Sequence, residues 1–195
     1  MGYNPVMGIE ARHSLPFDTS KFPIRISQGN SGPWSHFLIR REIPSRPGTF
    51  SVIDLTYAVD FALPFGSEVK AAKDGQVYGM ILSSDWFYEG LDPEIGNNPP
   101  PLSTNLIILR HEDGTTSLYS HLARKATVRT GQFVRKGEII ARTGKSGWIA
   151  EVPHLHFQVN TQTTTPRSLP LSFDDYLGSL DHETMVKNGS IWFGD

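Results

Sequence analysis

The sequence predicts an all-β domain, a sandwich or a barrel, from three observations. Short runs rich in β-branched and aromatic residues recur from residue 49 onward, separated by glycine or proline. The 18 glycines and 14 prolines supply the many turns that short strands need. At 195 residues, 38% of them hydrophobic, the chain can bury the core of one domain.

The predicted elements follow one another in a regular order. Residues 1–24 mix polar, apolar and helix-breaking residues and are predicted to form an extended arm, residues 25–180 the domain, and residues 181–195 a tail. Strands are predicted at 50–55, 57–63, 68–72, 75–82, 105–110, 116–121, 127–129, 138–143 and 154–160. Residues 83–104 form a long insertion, and residues 173–180 are predicted to form a short helix capped by Ser172.

Charge and composition exclude several classes of protein. A net charge of −2 gives no polycationic surface, so we expect no nucleic-acid partner. The chain has no cysteine, which excludes disulfides, thiol nucleophiles and cysteine-bound zinc and leaves His, Asp and Glu as metal ligands. No run approaches the roughly 20 apolar residues of a membrane span, and the first residues lack a signal-peptide pattern. We expect the chain to be soluble, and its sequence does not predict an oligomeric state.

Residues 153–157, Pro-His-Leu-His-Phe, are the most informative stretch. In a strand, successive side chains alternate between faces, so His154 and His156 are predicted to share a face, roughly 7 Å apart along the strand. At that separation both rings can bind one metal ion. A hydrogen-bonded polar face is the alternative interpretation of an isolated His-x-His pair.

Two further polar residues lie inside apolar segments. Asp60 lies within the segment Tyr-Ala-Val-Asp-Phe-Ala, and His121 within Leu-Tyr-Ser-His-Leu. Burying an unpaired charge or imidazole is costly, so each residue needs a partner in the fold. One metal site would provide a partner for several of them together.

The segment 128–141 allows a different hypothesis. Its spaced glycines are typical of the hairpin of lipoyl and biotinyl carrier domains. A carrier presents its modified lysine at a tight turn beside methionine, and the chain contains no Met-Lys or Lys-Met pair. The segment is therefore informative about the fold rather than about a carrier function.

Taken in order, several of these segments resemble the zinc metallopeptidases of the lysostaphin and LytM type, which cut peptide bonds in bacterial peptidoglycan. The matching segments are 57–64 with Gly66, 69–77, 105–114, 119–122, the hairpin 128–141, 144–147 and 154–157, and the resemblance covers roughly residues 28–175. It implies a mainly antiparallel β structure with few or short helices and a barrel-sandwich-like hairpin. It also implies one zinc ion per chain at the floor of a long groove.

The resemblance also assigns site residues by position. Asp60 and His156 match the family's carboxylate and histidine zinc ligands, and His121 and His154 match its two non-ligand histidines. Spacing alone would allow both His154 and His156 to be ligands, so this division comes from the resemblance. Tyr119, two residues before His121 and so on the same face of the predicted strand, and Asn105 are predicted to contact the substrate. A tyrosine buried in the core is the alternative interpretation for Tyr119.

The first zinc ligand departs from the family pattern. The family commonly places a histidine four residues before the aspartate, and this chain has Thr56 there. His36, in a Ser-His pair upstream, is predicted to replace it, with residues 37–56 as an insertion. Asp54 or another carboxylate, or an incomplete site, are the alternatives.

The predicted function is that of a zinc metalloendopeptidase acting on peptidoglycan cross-bridges or stem peptides. Zinc would activate water while His121 and His154 exchange a proton and bind the oxyanion. The chain has no His-Glu-x-x-His motif, which argues against the helical zincin class. A degenerate relative that binds cell wall or regulates an amidase is the alternative. The resemblance implies a periplasmic, cell-envelope or secreted location.

Overall fold

The structure is a computed structural model that describes residues 12–20, 23–29, 35–36, 38–43, 46–92, 95, 100, 102–150 and 152–186. Its strands are β1 (Arg12–His13), β2 (Ile24–Gln28), β3 (Leu38–Ile43), β4 (Arg46–Asp54), β5 (Val59–Phe61), β6 (Glu68–Lys70), β7 (Gly75–Ile81), β8 (Phe87–Tyr88), β9 (Leu106–Arg110), β10 (Thr115–Ser120), β11 (Leu122–Ala126), β12 (Phe133–Val134), β13 (Ile139–Thr143), β14 (Gly147–Trp148), β15 (Leu155–Thr161), β16 (Ser168–Leu169), β17 (Ser172–Phe173) and β18 (Met185–Val186). Nearly all of these strands pair antiparallel, which confirms the predicted all-β class.

The largest sheet places its strands in the order β12-β7-β9-β10-β15-β5-β2-β18, and β16 also pairs with β15. Strand β15 lies between β10 and β5, with His156 opposite Ser120 on one side and opposite Asp60 on the other. Directly opposed residues of an antiparallel pair project from the same face. One face of the sheet therefore collects these polar side chains.

The other face of the same strands forms the hydrophobic core. The alternate residues Leu155, Phe157 and Val159 of β15 are fully buried, as are Ile107 and Leu109 of β9. Side chains of a smaller sheet, ordered β11-β13-β6, belong to the same core cluster. The two sheets therefore pack through their apolar faces, and this packing fixes the strands that carry the polar face.

The glycine-rich segment 128–141 links the two sheets. Gly131 and Gly137 adopt φ angles of 85° and 86°, which side chains with a Cβ atom rarely tolerate. Strand β12 pairs with β7 in the large sheet, whereas β13 pairs with β6 and β11 in the small one. The two left-handed glycines therefore let the chain pass from one sheet to the other.

Parts of the predicted arm and tail pack against the domain. Strand β1 pairs with β17, and Leu15 and Phe17 are buried in the core cluster. Strand β18 extends the large sheet beside β2, and Val186 is fully buried. The boundaries at residues 24 and 180 stay predictions.

The predicted helix over residues 173–180 is wrong. Phe173 belongs to β17 and forms a bridge with Tyr176, so the chain turns back on itself there. Both aromatic side chains are buried in the core, and the carboxylate of Asp175 accepts a hydrogen bond from the Leu15 backbone N–H at 2.9 Å. The three-residue spacing of the apolar residues fits one helical turn, but pairing with β1 determines the conformation.

Candidate metal centre and active site

Asp60 and His156 meet because β5 and β15 pair in register. The two residues are direct partners across the antiparallel ladder, so their side chains project from the same face. His156 Nδ1 lies 2.9 Å from Asp60 Oδ1. Both residues are buried, with 7% and 5% of their surface exposed. The register of two central strands thus determines half of the site.

His36 reaches the same carboxylate from outside the ladder. Ser35 forms a parallel bridge with Gly29, which directly follows β2, and β2 pairs with β5. His36 Nε2 lies 3.4 Å from Asp60 Oδ1, and its ring centroid is 4.9 Å from that of His156. Within the described part of the chain, its buried Nδ1 has no hydrogen-bond partner.

His36, Asp60 and His156 suit a zinc ion. Each residue offers one ligand atom, and these atoms lie within 4.8 Å of one another. Two imidazoles and a carboxylate are a ligand set that zinc accepts, and catalytic zinc sites use three protein ligands. Asp54, the alternative ligand, instead accepts hydrogen bonds from the Thr56 N–H and hydroxyl, at 3.1 and 2.7 Å.

His154 and His121 complete the polar cluster. Each ring donates its Nδ1–H to a backbone carbonyl at 2.7 Å, that of Val152 for His154 and that of Ser146 for His121. The ring centroids are 4.6 Å apart, and His154 Nε2 lies 3.4 Å from Asp60 Oδ2. A carbonyl only accepts hydrogen bonds, so Nε2 is the free nitrogen of both rings when they are neutral.

The left-handed backbone conformation of His121 turns its own side chain towards this cluster. His121 follows β10 with φ of 63°, a conformation that costs a non-glycine residue free energy and is found at functional sites. Without that turn, alternation along the strand would place His121 on the core face beside Tyr119. The turn instead carries the ring to the face of the sheet that holds His156.

Residues 144–147 hold His121 in that position. The Gly144 N–H donates to the His121 carbonyl at 2.7 Å. The Ser146 hydroxyl donates to the Leu122 carbonyl at 3.1 Å. Gly147 has φ of 86°, and an added Cβ atom would lie 3.0 Å from His121 Nδ1. We did not predict roles for Ser146 and Gly147, although the Gly-Lys-Ser-Gly sequence belongs to the stretch that carries the family resemblance.

Burial and mutual charge shift the pKa values of the cluster. Burial alone would raise the pKa of Asp60, but His154, His36 and His156 hold it well below its usual value. Burial, with His154 and His156 nearby, lowers the pKa of His121 to about 3. Burial opposes protonation of His156, but the Asp60 carboxylate raises its pKa. The cluster therefore stabilises a negative charge on Asp60.

Tyr119 and Asn105, the two residues predicted to contact the substrate, have buried side chains. Tyr119 is fully buried, and its hydroxyl accepts the Ala72 N–H at 2.8 Å. Asn105 is also buried and donates to the carbonyls of Ser84 and Leu122. The polar groups of both side chains are thus engaged within the fold, and their contacts with a substrate stay predictions. The φ of His121 interrupts the alternation, so Tyr119 and His121 do not share a face of the sheet.

Two polar residues next to the cluster were missed. Gln158 and Asn160 continue the alternation that begins with His154 and His156, and both are buried. The period of two was visible in the sequence, but we applied it to the histidines alone.

The chain is similar to known peptidases in sequence and in fold. Residues 54–167 match Peptidase family M23. Lysostaphin of Staphylococcus simulans is 30% identical over 119 residues, which are 60% of this chain and 21% of lysostaphin. Peptidoglycan DD-endopeptidase ShyC of Vibrio cholerae is 28% identical over 131 residues, which are 66% of this chain and 26% of ShyC. The chain thus spans about a fifth to a quarter of these curated relatives.

A solved structure shares the fold. A zinc-containing peptidase from Vibrio cholerae superposes with a TM-score of 0.50 at 24% identity, over 84% of this chain and 41% of that chain.

Proposed function

The chain belongs to Peptidase family M23, and we propose that it is a zinc-dependent endopeptidase that hydrolyses peptide bonds in bacterial peptidoglycan. One observation carries the proposal. His36, Asp60 and His156 bring their ligand atoms within 4.8 Å of one another. His121 and His154 stand beside them as residues able to transfer protons.

The ligand residues have separate tasks in this proposal. Asp60 supplies the negative charge, and its buried carboxylate is already the centre of three imidazole contacts. His36 and His156 would each bind the metal through one ring nitrogen. A zinc ion held by such residues is a Lewis acid that polarises a carbonyl group and acidifies water.

His121 and His154 would move the protons. Their Nδ1–H groups are occupied by the carbonyls of Ser146 and Val152, which fixes each ring and presents Nε2 to the reaction. One Nε2 would accept a proton from the attacking water and deliver it to the leaving amine. The other, when protonated, would donate a hydrogen bond to the oxygen that becomes negative.

The relatives support the substrate class and the location. ShyC is a peptidoglycan endopeptidase, and this chain is similar in sequence to ShyC and to lysostaphin. Peptidoglycan lies outside the cytoplasmic membrane, so the proposal includes an envelope or secreted location. In the described part of the chain, every helix is too short or too polar to cross a membrane.

A non-catalytic wall-binding or regulatory role is the alternative. Thr56 stands where the family commonly has its first ligand, and its hydroxyl donates to Asp54 instead. Such a protein would bind wall material without cutting it.

Digestion of purified peptidoglycan tests the proposal. The zinc-loaded protein is expected to release soluble peptides, with new amine and carboxyl ends identified by mass spectrometry. A chelator should stop the release and added zinc should restore it, since the metal supplies the Lewis acid. Full zinc loading without any new ends, across cross-linked and uncross-linked peptidoglycan, would contradict the endopeptidase and favour the alternative.

A further inference from the structure

Gln158 contacts the side of the His156 ring that faces away from Asp60. The two residues are neighbours on one face of β15. His156 Nδ1 lies 2.9 Å from Asp60 Oδ1, whereas Nε2 lies 3.0 Å from Gln158 Oε1. Both nitrogens of the ring are therefore engaged, one by the carboxylate at the centre of the cluster and one by an amide oxygen.

The surroundings of Gln158 fix the orientation of its amide. Its Nε2 group donates to Asn160 Oδ1 at 2.8 Å and points at the Asp54 carbonyl at 3.5 Å. Reversing the amide would place its oxygen against the Asp54 carbonyl oxygen, and two acceptors repel each other. The amide oxygen therefore faces His156, and only an N–H group at His156 Nε2 can pair with it.

This contact determines which nitrogen of His156 is available to a metal. Because Gln158 holds the hydrogen at Nε2, the nitrogen that could offer its lone pair to a metal ion is Nδ1, which lies beside Asp60. A metal-binding histidine usually donates its other N–H to an oxygen acceptor, which fixes the ring and its tautomer. Gln158 supplies such an oxygen acceptor from within the same strand.

We propose that Gln158 is a positioning residue that makes Nδ1 of His156 the metal-binding nitrogen, and that Asn160 holds the Gln158 amide in the required orientation. The inference rests on the proposed function, because it assumes that His156 binds zinc. The amide acts through His156 rather than on the substrate. Gln158 is 4% exposed and is closed in by Asn160, which is 7% exposed, so water does not readily replace the amide oxygen.

Metal affinity in three variants tests this role. Gln158→Leu keeps a similar volume without an acceptor, and its zinc affinity in a chelator competition should fall by about 10- to 100-fold. Gln158→Glu keeps an oxygen at the same place and should stay within about threefold of the parent protein. Gln76→Leu is the matched control. Gln76 lies on the same sheet and its oxygen accepts from Arg110, so its loss should leave zinc affinity unchanged.

A spectroscopic measurement tests the assignment of the nitrogen directly. In protein with ¹⁵N-labelled histidine and bound ¹¹³Cd, the metal should couple to Nδ1 of His156, while Nε2 keeps its proton. Coupling to Nε2 would overturn the inference, and so would a folded Gln158→Leu variant with the zinc affinity of the parent. If that variant does not fold, the coupling pattern of the parent decides.

The proposed function and this inference fail in different ways. A parent protein that binds neither zinc nor cadmium overturns both. A parent protein that binds zinc and cuts peptidoglycan, but shows coupling to Nε2, overturns the role of Gln158 alone.

Discussion

Two buried groups of polar side chains lie on opposite faces of the large sheet, and they differ in how their hydrogen bonds are satisfied. The core-face group consists of His111, Ser117 and Tyr119, and the site cluster consists of His36, Asp60, His154 and His156. On the core face, His111 Nδ1 lies 2.7 Å from the Asp74 carbonyl and Nε2 lies 2.9 Å from Ser117 Oγ, which is 3.1 Å from the Tyr119 hydroxyl. Local hydrogen bonds thus engage both ring nitrogens. On the other face, the imidazoles of His36, His154 and His156 approach one carboxylate.

This difference supports the proposal that the histidines around Asp60 are functional, whereas His111 is structural. In the core-face group, the Asp74 carbonyl and the Ser117 hydroxyl, both neutral, engage the two nitrogens of His111, so burial favours the uncharged imidazole. In the site cluster, three imidazoles surround the ionised carboxylate of Asp60. In addition, Nδ1 of His36 has no hydrogen-bond partner in the described chain. An excess of ligand atoms around one buried charge is the arrangement that a metal ion completes.

The largest effect is expected from His121 and His154, the two proposed catalytic histidines beside the candidate metal ligands. His121→Ala and His154→Ala should each lower the rate of peptide-bond cleavage by about 10²- to 10⁴-fold, the usual contribution of a general acid or base. Both variants should still bind zinc, because neither residue is a proposed ligand. Cleavage rates and metal content are measured on the same samples. A variant that cleaves like the parent would remove that residue from the mechanism.

A smaller effect, on stability, is expected from Tyr119 in the core-face group. Tyr119→Phe removes the acceptor of the Ala72 N–H and leaves a buried donor unpaired, so the free energy of unfolding should fall by about 1–3 kcal/mol. Chemical denaturation measures the change. The control is Tyr78→Phe, since Tyr78 is 58% exposed and its change should stay within about 0.5 kcal/mol. Equal stabilities of the two variants would contradict the structural role of Tyr119.

The dependence of stability on pH gives the smallest expected effect. Burial lowers the pKa of His111. As the pH falls below the ordinary histidine pKa of about 6.5, the unfolded chain binds a proton there and the folded chain does not. His111 therefore makes the free energy of unfolding decrease as the pH falls from about 6.5 towards its lower folded pKa, by at most about 1.4 kcal/mol per pH unit.

His111→Gln isolates this contribution. Denaturation at several pH values between 7 and 5, with a chelator present in every sample, should show a shallower loss of stability in the variant than in the parent. The residues around Asp60 are the same in both proteins, so their contribution cancels in the difference. Identical pH slopes would mean that His111 is not protected from protonation by the fold.

The sequence predicted the strands better than it predicted the positions of side chains. The predicted strand 154–160 corresponds to β15 with a shift of one residue, because alternation and turn residues are local signals. Alternation predicts that Tyr119 and His121 share a face, and it cannot predict the φ of His121 that separates them. The proximity of His36 to Asp60 depends on pairing between β2 and β5, which no local pattern encodes.

Metal content tests the central claim most directly. Zinc is measured in the purified protein after reconstitution, beside His36→Ala and Asp60→Ala. About one zinc per chain in the parent, lost from both variants, is the predicted result, since removing a ligand leaves too few donors for a stable site. A parent chain without zinc, or an Asp60→Ala variant that retains it, would contradict a metal centre built around Asp60.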